Sequence, residues 1–115
     1  MRLLLATLAG VMACAGDPNE RPATWSYLHP AVIVPSCATS SCHSALVETA
    51  GIALDDRADS YAQLMDLQFV VPGDPASALI PLLEGDERPR MPPDAPLPQA
   101  DIDLVRIWIE AGAPE

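Results

Sequence analysis

The sequence predicts an all-α fold, one small bundle of about four short helices, and three observations lead there. The chain has 115 residues, half of them hydrophobic, which is enough for one small domain and too little for two. No segment alternates with period two and no internal repeat is present, so neither a half-buried sheet nor a solenoid is indicated. The run from Leu97 to Gly112 carries apolar residues at helical spacing between a proline start and a glycine stop.

Met1-Arg2 followed by the mostly apolar run Leu3 to Ala13 is too short to span a bilayer and reads as a secretory signal, residues 1–13. Its end, Val11-Met12-Ala13-Cys14, resembles a bacterial lipoprotein signal, which implies lipid on Cys14 and a membrane-anchored protein at the periplasmic face of the envelope. Ala13-Cys14-Ala15 also fits ordinary cleavage after Ala15, which would release a soluble periplasmic protein. Residues 14–24 are small, polar and proline-containing, and read as a tether ahead of a domain at 25–115.

Within that domain, Trp25 to Val34 is expected as a first helix interrupted or restarted by Pro30, with Leu28, Val32 and Ile33 packing on the terminal helix. Asp59-Ser60 is expected to cap a short helix through Leu67. Asp74-Pro75 is expected to start another, which carries Leu79, Ile80, Leu82 and Leu83 to a Gly85 stop and is strained in its middle by Pro81. Phe69 to Val71 is extended at most. Pro89 to Pro98 contains five prolines and should form a stiff extended strap. In the terminal helix Ile102, Val105 and Ile109, with Leu104 and Trp108 beside them, form the inward face, while Asp103, Arg106 and Glu110 face out.

Charge narrows the function. Sixteen acidic residues against six arginines, and no lysine, give a net charge of −10, which argues against an anionic lipid surface and effectively excludes nucleic acid as partner, because a phosphate-binding face needs clustered cations. Contact with the membrane is expected only through the lipid anchor. The acidic surface suits partners with basic docking patches, met in salt-sensitive encounters.

With Cys14 lipidated, two cysteines remain, in Cys37-Ala38-Thr39-Ser40-Ser41-Cys42-His43. Three chemistries use such a run: a disulfide, a metal site, or covalent haem attachment with the histidine on iron. A disulfide closing so short a loop restrains little of the unfolded chain. Zinc lacks a fourth ligand, the only other histidine being His29, which is read as structural. Haem attachment needs two thiols for the two vinyl groups and an imidazole next to the second thiol, and Cys37, Cys42 and His43 supply all three. The usual attachment run has two residues between the cysteines; here there are four, and Ala38 to Ser41 are small enough to bulge. Met91, within Arg90-Met91-Pro92-Pro93, offers a thioether as second axial ligand.

The order of an apolar segment, Cys-x4-Cys-His, Val71-Pro72-Gly73-Asp74-Pro75, Arg90-Met91-Pro92-Pro93 and a terminal amphipathic helix resembles class I cytochrome c domains, and most closely the planctomycete-type cytochrome c modules of exported bacterial proteins. The resemblance runs from about Pro30 to Gly112. It implies a cytochrome c-like bundle wrapped around one covalent haem c, with Cys37 and Cys42 as thioether anchors, His43 as proximal ligand and Met91 as distal ligand. The expected function is outer-sphere electron transfer at the cell envelope, by a carrier without substrate chemistry of its own, to a redox partner protein. Trp108 is a candidate to pack near the porphyrin or to be plain core, and Arg88 and Arg90 are candidates to pair with a propionate or to be solvated. The alternative is a haem-free envelope lipoprotein stapled by Cys37 and Cys42, with a binding or structural role. A haem enzyme in which Met91 dissociates is disfavoured, since no second haem motif or distal His–Arg arrangement is present.

Overall fold

The first rod of the fold forms where the sequence places an interruption. In the computed structural model, which describes residues 20–86 and 89–115, α1 (Trp25–Leu28) continues through a π-helical turn (His29–Ile33) into α2 (Val34–Cys37). Pro30 and Pro35 each lack an N–H and each crowd the carbonyl four residues back. The turn between them widens, so that the Val34 N–H reaches the His29 carbonyl, and the rod bends around its prolines and does not end at Pro30. Its last residue is Cys37.

The other helices are α3 (Arg57–Asp66), α4 (Leu79–Glu84) and α5 (Gln99–Glu110), with one 3-10 turn (Thr49–Gly51) and no strand among the described residues. The all-α expectation therefore holds. The caps differ from those expected. In α3 the cap is Asp56, whose carboxylate accepts from the Asp59 N–H at 2.9 Å; Asp59 sits in the first turn, where its charge complements the helix dipole, and Ser60 is fully buried. Asp74 instead accepts from the Ala76 N–H at 2.8 Å, closing a turn ahead of α4, which begins only at Leu79. Pro81 thus falls in the first turn of α4, where no N–H is required, and strains nothing. Gly85 ends α4 at φ 86°, a left-handed conformation that glycine adopts without penalty.

The core is built on aromatic contacts. Trp25 of α1 stacks on Trp108 of α5 with ring centroids 5.2 Å apart, and Tyr61 of α3 stands edge-on to both. Polar edges are all used. The Trp25 and Trp108 indole N–H groups donate to the Arg57 and Pro114 carbonyls, the Tyr61 hydroxyl donates to the Ala113 carbonyl, and the Trp25 main-chain N–H also donates to Pro114. Three helices and the C-terminal residues are joined in this way. Ile102, Leu104, Val105, Trp108 and Ile109 are the buried face of α5, as its periodicity requires. Arg106 pairs with Glu84 of α4 and, at 3.1 Å, with Asp103. At the other end Arg21 pairs with Asp101 at 2.6 Å and donates to the Ala100 carbonyl, so the segment read as tether is already docked on the domain from Arg21 onward. The segment read as a signal, Cys14 and Arg88 lie outside the described residues.

Candidate functional site

The rod ends at Cys37 and the chain then turns back on itself. The Cys42 N–H donates to the Thr39 carbonyl and the His43 N–H to the Cys37 carbonyl, both at 3.0 Å. The four residues between the cysteines are therefore taken up in a closed turn, and both thiols are free and half-buried.

His43 is oriented by the segment that follows. Its ring Nδ1 lies 3.3 Å from the Ile52 carbonyl and its own carbonyl accepts from the Leu54 N–H at 2.7 Å. A carbonyl oxygen only accepts, so Nδ1 is the donor, and in the neutral ring that leaves the lone pair on Nε2, the arrangement found in metal-ligating histidines. The Ile52 carbonyl follows a segment with left-handed backbone at Glu48, Ala50 and Gly51, φ 48°, 58° and 74°. Left-handed non-glycine residues are held against a conformational cost, and such residues gather at functional sites.

Met91 comes from the proline-rich strap. Its main-chain N–H donates to the Leu82 carbonyl of α4 at 3.0 Å, which pins the strap next to α4, and Leu97 is buried further along. Cys37, Cys42, His43 and Met91, separated by up to 54 positions in the chain, all line one cavity of about 340 Å³. Its walls are otherwise mostly apolar, with Ile52, Leu64, Phe69, Leu79 and Leu82 among them, and among the described residues no Asp, Glu or Arg contributes. That volume lies within the ~300–1,000 Å³ range of small-molecule and cofactor sites.

Burial pushes the Cys37 thiol up to about 11, with repulsion from Cys42 adding to it. A raised thiol is the reverse of what nucleophilic or redox-exchanging cysteines show. At pH 8 the thiolate fraction of Cys37 is on the order of 100-fold below that of an ordinary thiol, and the higher nucleophilicity of the more basic thiolate restores about tenfold of it. Alkylation of Cys37 in the haem-free chain, followed by peptide mass, is expected to run about tenfold slower than that of an unstructured reference thiol. Equal rates would show that Cys37 is not shielded.

The remaining sequence candidates sort cleanly. His29 is structural: its buried ring packs beside Trp25, and its Nε2 is 2.9 Å from the Leu54 carbonyl, to which it donates. Trp108 is core, with no accessible surface and no share in the cavity wall. Arg90 lies along a shallow groove with Gly85, Pro89 and Pro93, its Nε donating to the Pro92 carbonyl at 3.4 Å. Among the described residues there is no group of three or more His, Cys, Asp or Glu that could hold a metal ion. Sequence reasoning missed the Ile52 carbonyl and the α3 residue behind it, Gln63, because main-chain direction leaves no mark on residue type. In comparisons with known protein families, curated proteins and solved structures, the chain matches none.

Proposed function

We propose that the chain is an exported mono-haem c-type cytochrome, similar to the class I domains, that carries single electrons at the cell envelope. The observation that carries this reading is the convergence of two thiols, an imidazole whose Nδ1 is engaged by a carbonyl and a thioether on one largely apolar cavity. The donor set fits haem c: Cys37 and Cys42 would hold the vinyl groups as thioethers, while His43 Nε2 and the Met91 sulfur would take the two axial positions. Haem bound there supplies a one-electron iron couple. The closed turn at Thr39 to Cys42 supports attachment across the four-residue gap, since it brings His43 back against Cys37. His43 and Met91 would both be committed to the iron, which would leave it no open position for a substrate, and a methionine ligand would favour a higher potential than a second histidine. The apolar walls would give a bound haem surroundings of low polarity. The acidic surface supports docking to a redox partner with a basic patch, and Cys14 would carry the lipid that holds the protein at the membrane.

The test is the visible spectrum and intact mass of the protein made in a periplasm with cytochrome c maturation factors, beside the Cys37→Ala, Cys42→Ala double variant. The expected product is red and one haem heavier than the chain, and the double variant is colourless. A colourless wild type lighter by two hydrogens than its reduced chain would replace this reading with the disulfide-stapled lipoprotein.

A further inference from the structure

His43 is held at two points by residues on either side of Ala53: Ile52 through its carbonyl and Leu54 through its N–H. Ala53 makes no backbone–backbone hydrogen bond among the described residues. It is clasped by a side chain of α3. Gln63 Oε1 accepts from the Ala53 N–H at 3.1 Å, and Gln63 Nε2 donates to the Ala53 carbonyl at 3.0 Å. A primary amide presents an acceptor and a donor side by side, and so can satisfy both groups of one residue as a neighbouring strand would.

This clasp matters because the segment's other ties, the buried Leu54 with its bonds to the His43 carbonyl and the His29 ring and the Ile52 N–H to Thr49, do not engage the peptide between Ile52 and Ala53, whose N–H is held by Gln63. The segment is reached through the left-handed residues Glu48, Ala50 and Gly51 and belongs to no regular element. Gln63, in contrast, stands on a helix secured by the Asp56 cap, by the bond from the Trp25 indole to the Arg57 carbonyl, and by buried Leu64. We infer that Gln63 is the positioning residue for His43, fixing the direction of the Ile52 carbonyl and through it the tautomer that leaves Nε2 bare. The chain of contacts is Gln63 to Ala53 and the Ile52 carbonyl to Nδ1–H, on a histidine that lines the cavity. Its consequence for iron rests on the proposed function; its consequence for the tautomer does not.

The test compares the full-length wild type with Gln63→Met, which keeps length and helix propensity but cannot form the clasp, and with Gln63→Glu, whose carboxylate keeps only the bond from the Ala53 N–H. Nitrogen-15 shifts of the imidazoles are read in the haem-free chain at about pH 8.5, where those shifts also report directly whether each ring carries one proton or two. In the wild type His43 is expected with Nδ1 protonated. In Gln63→Met the opposite tautomer should rise several-fold and Ala53 amide exchange should quicken about tenfold, the equivalent of one hydrogen bond. Gln63→Glu should fall between them. His29, whose partner Leu54 is tied separately to His43, is the internal reference and should keep its tautomer. In haem-loaded protein, Gln63→Met should also raise the midpoint potential, because an imidazole without its acceptor is a weaker donor.

Wild-type tautomer and exchange in Gln63→Met would overturn the inference, as would a parallel loss of bias at His29, which would mark general loosening. A wild type that takes up no haem would remove the proposed function while leaving the tautomer result to decide the role of Gln63.

Discussion

Trp108→Ala is expected to remove most of the protein's stability at 25 °C. The side chain has no accessible surface, stacks on Trp25 and meets the edge of Tyr61, so the substitution opens a void at the junction of α1, α3 and α5. Large aromatic to alanine changes in cores cost about 3–5 kcal/mol. Small domains have about 5–15 kcal/mol in total and one of this length lies toward the lower end. The Pro114 carbonyl is not orphaned, because the Trp25 N–H still donates to it at 2.9 Å, so the loss is one of volume and stacking. Trp108→Phe separates the two contributions: it keeps most of the stack, gives up the indole bond, and should cost about 1–2 kcal/mol. Urea unfolding followed by Trp25 fluorescence measures both. An alanine variant within about 1 kcal/mol of wild type would mean that the aromatic cluster is not the centre of the core.

How far the sequence was readable depends on how local each signal is. The inward face of α5 was legible because five apolar residues at helical spacing have one way to be buried. Whether Trp108 faced the cavity or the core was not, since both are apolar and only the position of Trp25 decides it. The α3 cap was misplaced because Asp55, Asp56 and Asp59 all suit a helix start. The choice is tertiary: the Asp55 carboxylate accepts from the Ala45 N–H at 2.8 Å, leaving Asp56 for the cap. Asp74-Pro75 gives the same sequence signal for a turn as for a helix entry. At the site, Cys37, Cys42 and His43 were legible because their chemistry is concentrated in seven residues, and Met91 because a thioether among prolines is chemically distinct. Gln63 was invisible, since its role depends on reaching the backbone of a residue ten positions away.

On the proposed reading the two axial ligands are unequal, and His43→Ala and Met91→Ala should fail differently. His43 sits within the attachment turn, bonded through its ring to Ile52 and through its main chain to Cys37 and Leu54, so its loss removes the best-oriented donor in the cavity. Changes to residues merely supporting a ligand cost ~10–100-fold in metal affinity, and loss of the ligand itself should cost at least that. Stable haem incorporation in His43→Ala is therefore expected to fall by about tenfold or more. Met91 differs because the strap is held by its main chain. The bond from the Met91 N–H to Leu82 and the burial of Leu97 both survive truncation of the side chain, so Met91→Ala should keep its haem and lose only the sulfur. An open axial position should then bind added imidazole, and the midpoint potential should fall by on the order of 0.1 V, within the ~0.8 V that axial ligation spans. Haem-to-protein ratio by mass, imidazole titration and redox titration decide the matter together. A Met91→Ala protein with wild-type spectrum and potential and no affinity for imidazole would show that the sixth ligand lies elsewhere, and that the strap serves the cavity only as a wall.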